Sequence, residues 1–152
     1  PSKKDDIFKK AEKAFEKINL ILRKHAVSKV YIEESVQRFT PGMSSAATII
    51  TLANFNFLIS YFTQRSVHLE NLFWVKPTEA RKSCGLVVTT KKKAGGASQK
   101  QQVYDQITSP TGLLRNVPFA KNKNGNPKPC NYDMVDSYVV AYHGAKKEKS
   151  KI

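Results

Sequence analysis

The sequence predicts an α/β fold with at least one parallel pair of strands, on three observations. Helical and strand-like segments alternate along the chain. The two clearest strand-like runs are separated by a long helical one, so the chain crosses over before it pairs again. The apolar fraction of 40% is that of a chain with a packed core, and no internal repeat or break in composition marks a second domain. A length of 152 residues suits one domain, expected over residues 1–145, with a basic tail at 146–152.

Each element has its own signature. "DDIFKKAEKAFEKINLILRKH" places Ile7, Ala11, Ala14, Phe15, Ile18 and either Ile21 or Leu22 at helical spacing, with Lys and Glu between them. Asp5 and Asp6 at its head, and Arg23, Lys24 and His25 at its tail, suit the helix dipole. "SKVYIEES" is β-branched and aromatic, a buried strand ending in acids. "RFTPGMSS" is a turn in which Ser44 or Ser45 caps the next helix. That helix, "SSAATIITLANFNFLISYFTQ", is apolar on most of its circumference, as a fully buried or partner-covered helix is, so it is also a candidate dimer surface.

"VHLENLFWVKP" follows as a strand closed by Pro77, and "TEARKSCG" as a short helix stopped by Gly85. "TTKKKAGGASQK" reads as a flexible basic loop, "SQKQQVYDQITS" as a modest helix, and "KNKNGNPKP" as a second basic loop with turn residues. The last element, "NYDMVDSYVVAYHG", is a helix. At about 100° per residue, Asp133, Asp136, Val140 and His143 share one face and Val135, Tyr138, Val139 and Tyr142 the opposite, core-facing one.

Charge narrows the partner. Twenty-six Lys and Arg against twelve Asp and Glu give a formal net charge of +14, which points to a polyanion and, at this size, to nucleic acid. A ribosomal or packaging protein has the same balance. No stretch reads as apolar for long enough to span a bilayer, and "PSKKDDIFKK" lacks the apolar core of a signal peptide. The expectation is a soluble, intracellular protein without a membrane partner. Cys84 and Cys130 have neither the number nor the spacing of a zinc site or a disulfide framework and are expected to be reduced bystanders.

Against that charge, the acids stand out. Asp133 and Asp136 at the head of a helix have an ordinary explanation, since the dipole favours acids in a first turn by about 0.3–1 kcal/mol each. The strand "KVYIEES", however, ends in Glu33 and Glu34, whose side chains point to opposite faces, so that one can look into a cleft above the sheet. A carboxylate at a strand end together with an Asp-x-x-Asp turn gives hard oxygen ligands from separate elements, which suits a pair of divalent cations. Two such ions about 3.5–4 Å apart assist phosphodiester hydrolysis.

"VYIEES", the long helix after it, "VKPTEARK" and the terminal "DMVDSYVVAYHG", in that order, resemble the RuvC-type Holliday-junction resolvases of the ribonuclease-H-like superfamily, in a phage, viral or organellar form. The resemblance runs from about residue 8 to 144, and its specificity lies in the order and spacing of short motifs. It implies a ribonuclease-H-like mixed sheet flanked by helices. It implies Glu33, Asp133 and Asp136 as catalytic metal ligands, His143 as an accessory residue, and two Mg²⁺ ions replaceable by Mn²⁺. It further implies a homodimer that cuts four-way DNA junctions in recombination and repair, in the cytoplasm of a bacterial or virus-infected cell or in an organelle. The alternative is a non-catalytic binder of branched or double-stranded nucleic acid on the same fold.

The family opens with a strand bearing an Asp-x-Gly type motif and two further strands, whereas this sequence begins at the first helix. The resemblance therefore carries the expectation that an upstream β-segment with a further acid belongs to the natural protein, and that this stretch alone is inactive. Asp5 and Asp6, in a helix start, do not replace that acid.

Candidate DNA contacts are Arg81 and Lys82 after the second strand, and Lys91, Lys92, Lys93 and Lys100 in and beside the basic loop, which is equally readable as a solvated loop. Phe39 is a candidate wedge for a junction, or else a core or dimer residue. Glu34 is expected to face solvent or a basic partner, Trp74 to lie in the core, and His25 and His68 to be ordinary surface or helix-end residues.

Overall fold

A computed structural model describes residues 6–34, 45–66 and 71–150. Asp5, Phe39, Ser44 and His68 lie outside the described residues. Among those described, the chain is mixed α/β, with five helices and a two-stranded parallel sheet, in two compact units, Pro1–Val75 and Lys76–Ile152.

The first unit runs α1 (Ile7–Lys24), β1 (Val30–Glu33), α2 (Ala46–Ser66) and β2 (Leu72–Val75). The Asp6 carboxylate caps α1 by accepting from the Lys9 amide at 2.8 Å. Ala11 is fully buried and Leu22, not Ile21, turns inward, while Phe15 meets Phe62 of α2 at 5.6 Å between ring centroids. Ser45 caps α2 through the Thr48 amide. The strands pair in register Val30↔Leu72 to Glu33↔Val75, with α2 as the crossover between them. The parallel pair read from the sequence is thus present. Tyr31 and Phe73, neighbours across the pair, stack at 5.1 Å.

Two expectations fail here. Trp74 is not core but 44% exposed, because a two-stranded sheet with half-buried strands leaves an open face. The reading that no segment is apolar for long enough to span a bilayer also fails: α2 is, by length and composition, one helix that passes that test. Its Ile59, Ser60 and Thr63 are buried, whereas Ile50, Leu52, Phe57 and Tyr61 are exposed on the described surface.

The second unit runs α3 (Pro77–Ser83), α4 (Gln99–Thr108) and α5 (Pro129–Lys149). α3 ends as expected at Gly85, whose φ of 72° is left-handed. The Leu86 amide returns to the Arg81 carbonyl and the Gly85 amide to that of Lys82, which satisfies the last turn. Ser98 caps α4 through the Gln101 amide. "KNKNGNPKP" closes a small hairpin, with Lys121 bridged to Pro127, Asn122 holding the amides of Asn124 and Asn126, and Gly125 at φ 77°.

The core of this unit is Ala80, Val103, Tyr104, Ile107, Val135, Val139 and Val140. α5 is covered by both α3 and α4, so its buried stripe is wider than a single-sided wheel gives. Val140, expected on the outer face with the acids, is buried. Tyr138 and Tyr142, expected in the core, are only half-buried and stack on one another at 6.1 Å. Residues 146–149, expected as the start of a basic tail, are the last turn of α5, where three lysines suit the helix C-terminus.

Candidate functional site

The site is built on α5. Pro129 is its first residue, with Lys128 before it as N-cap, so Asp133 and Asp136 lie beyond the first turn. The dipole falls off within that turn, and it therefore does not account for this pair. A spacing of three places both carboxylates on adjacent sectors of the helix. Their surroundings differ: Asp133 is 70% exposed at its side chain, Asp136 only 18%.

Lys100, in the first turn of α4, reaches both. Its ammonium lies 2.6 Å from an Asp133 oxygen and 3.8 Å from one of Asp136. A lysine two residues after the Ser98 cap opposes the dipole of its own helix, so its position is supported by these two acids rather than by local preference. Arg81 of α3 also lowers the pKa of Asp136 electrostatically, and its guanidinium donates to Gln99 at 3.4 Å. Tyr132 donates its hydroxyl to Gln101, joining the two helices beside the acids.

Burial is the largest influence on Asp136 and pushes its carboxyl above the usual carboxylate range; Lys100 and Arg81 pull it back, and Asp133 adds to the rise. A carboxyl raised in the fold binds its proton more tightly there than in the unfolded chain. Its cost to stability is absent below the unfolded value of 3.8 and is fully present once pH exceeds the folded pKa. Asp136→Asn should accordingly unfold at a higher temperature than the wild type at neutral pH. That advantage should shrink as pH falls toward 3.8, which thermal melts across pH measure. An equal difference at every pH would show that the carboxyl is not strained.

The structure thus brings together four of the sequence-derived candidates, Asp133, Asp136, Lys100 and Arg81. Lys82 is exposed on α3, and Lys91, Lys92 and Lys93 project from a turn over residues 91–96. Glu33 is the last residue of β1, half-buried, in the first unit; its carbonyl accepts from the Asn56 side chain of α2. His143 lies farther along α5, where its Nδ1 meets the Ser83 hydroxyl. Among the described residues, no three His, Cys, Asp or Glu side chains gather as a metal group. Cys84 and Cys130 are free thiols, and burial pushes the Cys84 thiol up, away from reactivity.

Two features escaped the sequence reading. Gln102 accepts from the Thr89 amide and donates to the Thr89 carbonyl, while Gln106 does the same for Val87. Four helical residues rise about 6 Å, close to the two-residue rise of an extended chain, so a Gln pair at i and i+4 can act as a substitute strand. The arm that leads to the lysine turn is therefore tethered rather than the free loop expected. The second feature is Ser83. The i, i+4 glutamines were legible; the pairing of Ser83 with a residue sixty positions away was not.

No family model, curated protein or solved structure matches the chain.

Proposed function

We propose that the chain is the core of a Mg²⁺-dependent, structure-selective DNA endonuclease of ribonuclease-H-like fold, acting on four-way junctions as a homodimer. The observation that carries the reading is the Asp133–Asp136 pair with the Lys100 ammonium lodged between the two carboxylates. A cation is already drawn to that point. The donors are all carboxylate oxygens, and Mg²⁺ is commonly held by one or two carboxylates plus substrate phosphate oxygens, so the pair fits one such ion. The raised pKa of Asp136 supports this, because a buried acid next to a second acid gains most from a divalent cation.

Asp133 and Asp136 would hold the ion. The metal supplies a polarised phosphate and a more acidic water. The chain's own residues do the rest. Lys100 and Arg81 compensate carboxylate charge in the free protein and are cationic partners for the phosphate once it arrives. Lys82 and the turn Lys91–Lys93 contact the flanking backbone, held in register by Gln102 and Gln106. The β1–α2–β2 crossover is the unit from which parallel α/β sheets are built, and Glu33 sits at the carboxyl end of its strand, where such sheets carry their sites.

The deciding assay is cleavage of a synthetic four-way junction and of a linear duplex of equal length by the natural gene product in Mg²⁺. Cleavage of the junction alone is expected. Tight junction binding without cleavage would leave a non-catalytic binder of branched nucleic acid, and equal affinity for both substrates a general one.

Salt dependence checks the lysine turn. Neutralising Lys91, Lys92 and Lys93 should flatten the slope of log affinity against log salt by up to about three units, one per phosphate contact. An unchanged slope would move the DNA path elsewhere.

A further inference from the structure

In the first unit the last turns of α1 and α2 form the wall of a pocket of about 350 Å³, lined by Asn19, Leu22, Arg23, Val27, Arg65 and Ser66. α1 leads into β1 and α2 into β2, so the pocket lies toward the amino ends of the strands. Glu33 closes the other end of β1, three residue steps or about 10 Å along the strand. The pocket is therefore separate from that acid. Arg23 and Arg65 each have an ordinary explanation, since a cation in a last turn offsets the negative end of its own helix. That accounts for one cation per helix, but not for two on one pocket, where like charges repel.

Among the described residues, no carboxylate lines the pocket and neither guanidinium pairs with an acid. Arg65 donates to the Tyr61 hydroxyl at 3.5 Å and lies 5.9 Å from the centre of that ring, a prop on its own helix that leaves most of its five N–H donors open. The Arg23 side chain, the Asn19 carboxamide and the Ser66 hydroxyl have no hydrogen-bond partner among the described residues. Every polar side chain on the wall can therefore donate, and two of the four carry positive charge. A bound anion removes the repulsion between the arginines and takes up those donors.

We propose that this pocket is a phosphate-binding site, in which Arg23 and Arg65 clamp the oxygens of one phosphate group. The planar fork of a guanidinium matches two phosphate oxygens at once, which the compact ammonium of a lysine does not. The volume is near the lower end for small-molecule sites and exceeds what a bare phosphate fills, and Leu22 and Val27 give part of the wall an apolar surface. The phosphate is therefore carried on a larger body, either a small ester such as a nucleoside monophosphate or a DNA backbone. The site does not rest on the endonuclease reading.

The test is titration of the natural gene product with inorganic phosphate at fixed ionic strength, followed in the arginine Nε–H NMR signals and as a rise in melting temperature. Saturable binding is expected. It should be about tenfold weaker in Arg23→Gln and in Arg65→Gln, as loss of one charge-assisted hydrogen bond implies, and unchanged in Arg115→Gln, which lies in the second unit. Both pocket arginines are exposed, so without phosphate the variants should melt as the wild type does. Binding that does not saturate, or that is equal in the wild type and both pocket variants, would overturn the site. Two further probes decide the source of the phosphate. Adenosine monophosphate binding tighter than inorganic phosphate, with affinity for a duplex lacking terminal phosphates unmoved by either variant, would assign a small ester. Duplex affinity lowered in both variants, with the slope of log affinity against log salt flatter by about one unit in each, would assign the DNA backbone. Junction cleavage enters none of these readouts, so the phosphate result stands whether or not the endonuclease reading does.

Discussion

Asp136→Asn in the natural gene product should abolish Mg²⁺-dependent junction cleavage while leaving junction binding intact or tighter. The substitution keeps shape and removes one anionic ligand from the half-buried position beside Asp133. A metal acting on a phosphate contributes several kcal/mol to the transition state, and about 1.4 kcal/mol corresponds to tenfold in rate, so the loss should be 10²-fold or more. Binding follows the opposite sign, because one fewer negative charge faces the phosphates. Glu33→Gln should behave in the same way. Exchange of Mg²⁺ for Ca²⁺ should preserve binding and stop turnover, since Ca²⁺ holds its ligands in looser geometry. Full activity in either variant would end the assignment of these acids. The same Asp136→Asn protein should be the more thermostable one at neutral pH, so lost activity cannot be ascribed to unfolding.

Gly112→Ala should strongly destabilise the second unit. Gly112 sits in the turn after α4, its amide donating to the Ser109 carbonyl at 2.8 Å and its neighbourhood closed by Leu114 returning to the Ile107 carbonyl. A Cβ at this position would lie 2.2 Å from the Ile107 carbonyl oxygen and 2.6 Å from that of Gln106. Both are backbone atoms of the end of α4 and cannot swing aside, so the turn must open or the helix must shift. Overpacking of this kind costs about 1–3 kcal/mol, and a backbone clash belongs at or above the upper end. Ile107 is 1% exposed beneath the turn, so the disturbance reaches the core. Urea unfolding should show a free energy of unfolding lower by that amount, seen as a lower midpoint at unchanged slope; a midpoint equal to the wild type would mean the turn has room that the structure denies. Gly125→Ala, in open space at φ 77°, should cost only the left-handed backbone penalty of about 1–2 kcal/mol.

Much of the local structure was legible because it is written in neighbours. Helix α1 announces itself by apolar residues three and four apart, and its start by Asp6. Gly85 marks the end of α3 because a left-handed residue there lets two amides turn back onto free carbonyls. The parallel pairing of β1 and β2 follows from a long helix between two short apolar, aromatic runs. The Asp133, Asp136 pair was visible as a spacing, and the excess of Lys and Arg as a count.

Tertiary structure alone decided what those residues face. A helical wheel fixes angles but not how many neighbours cover the helix; α3 and α4 cover two sides of α5, so Val140 went in and Tyr138 stayed half out. Whether a carboxylate is strained depends on how much water its neighbours remove, which separates the half-buried Asp136 from the exposed Asp133 three residues away. Lys100 meets Asp133, and Ser83 meets His143, across 33 and 60 residues of chain. Spacing in sequence carries no information about such pairs, because they are fixed by the packing of helices whose apolar stripes must be buried together, and the polar contacts follow from where that packing leaves them.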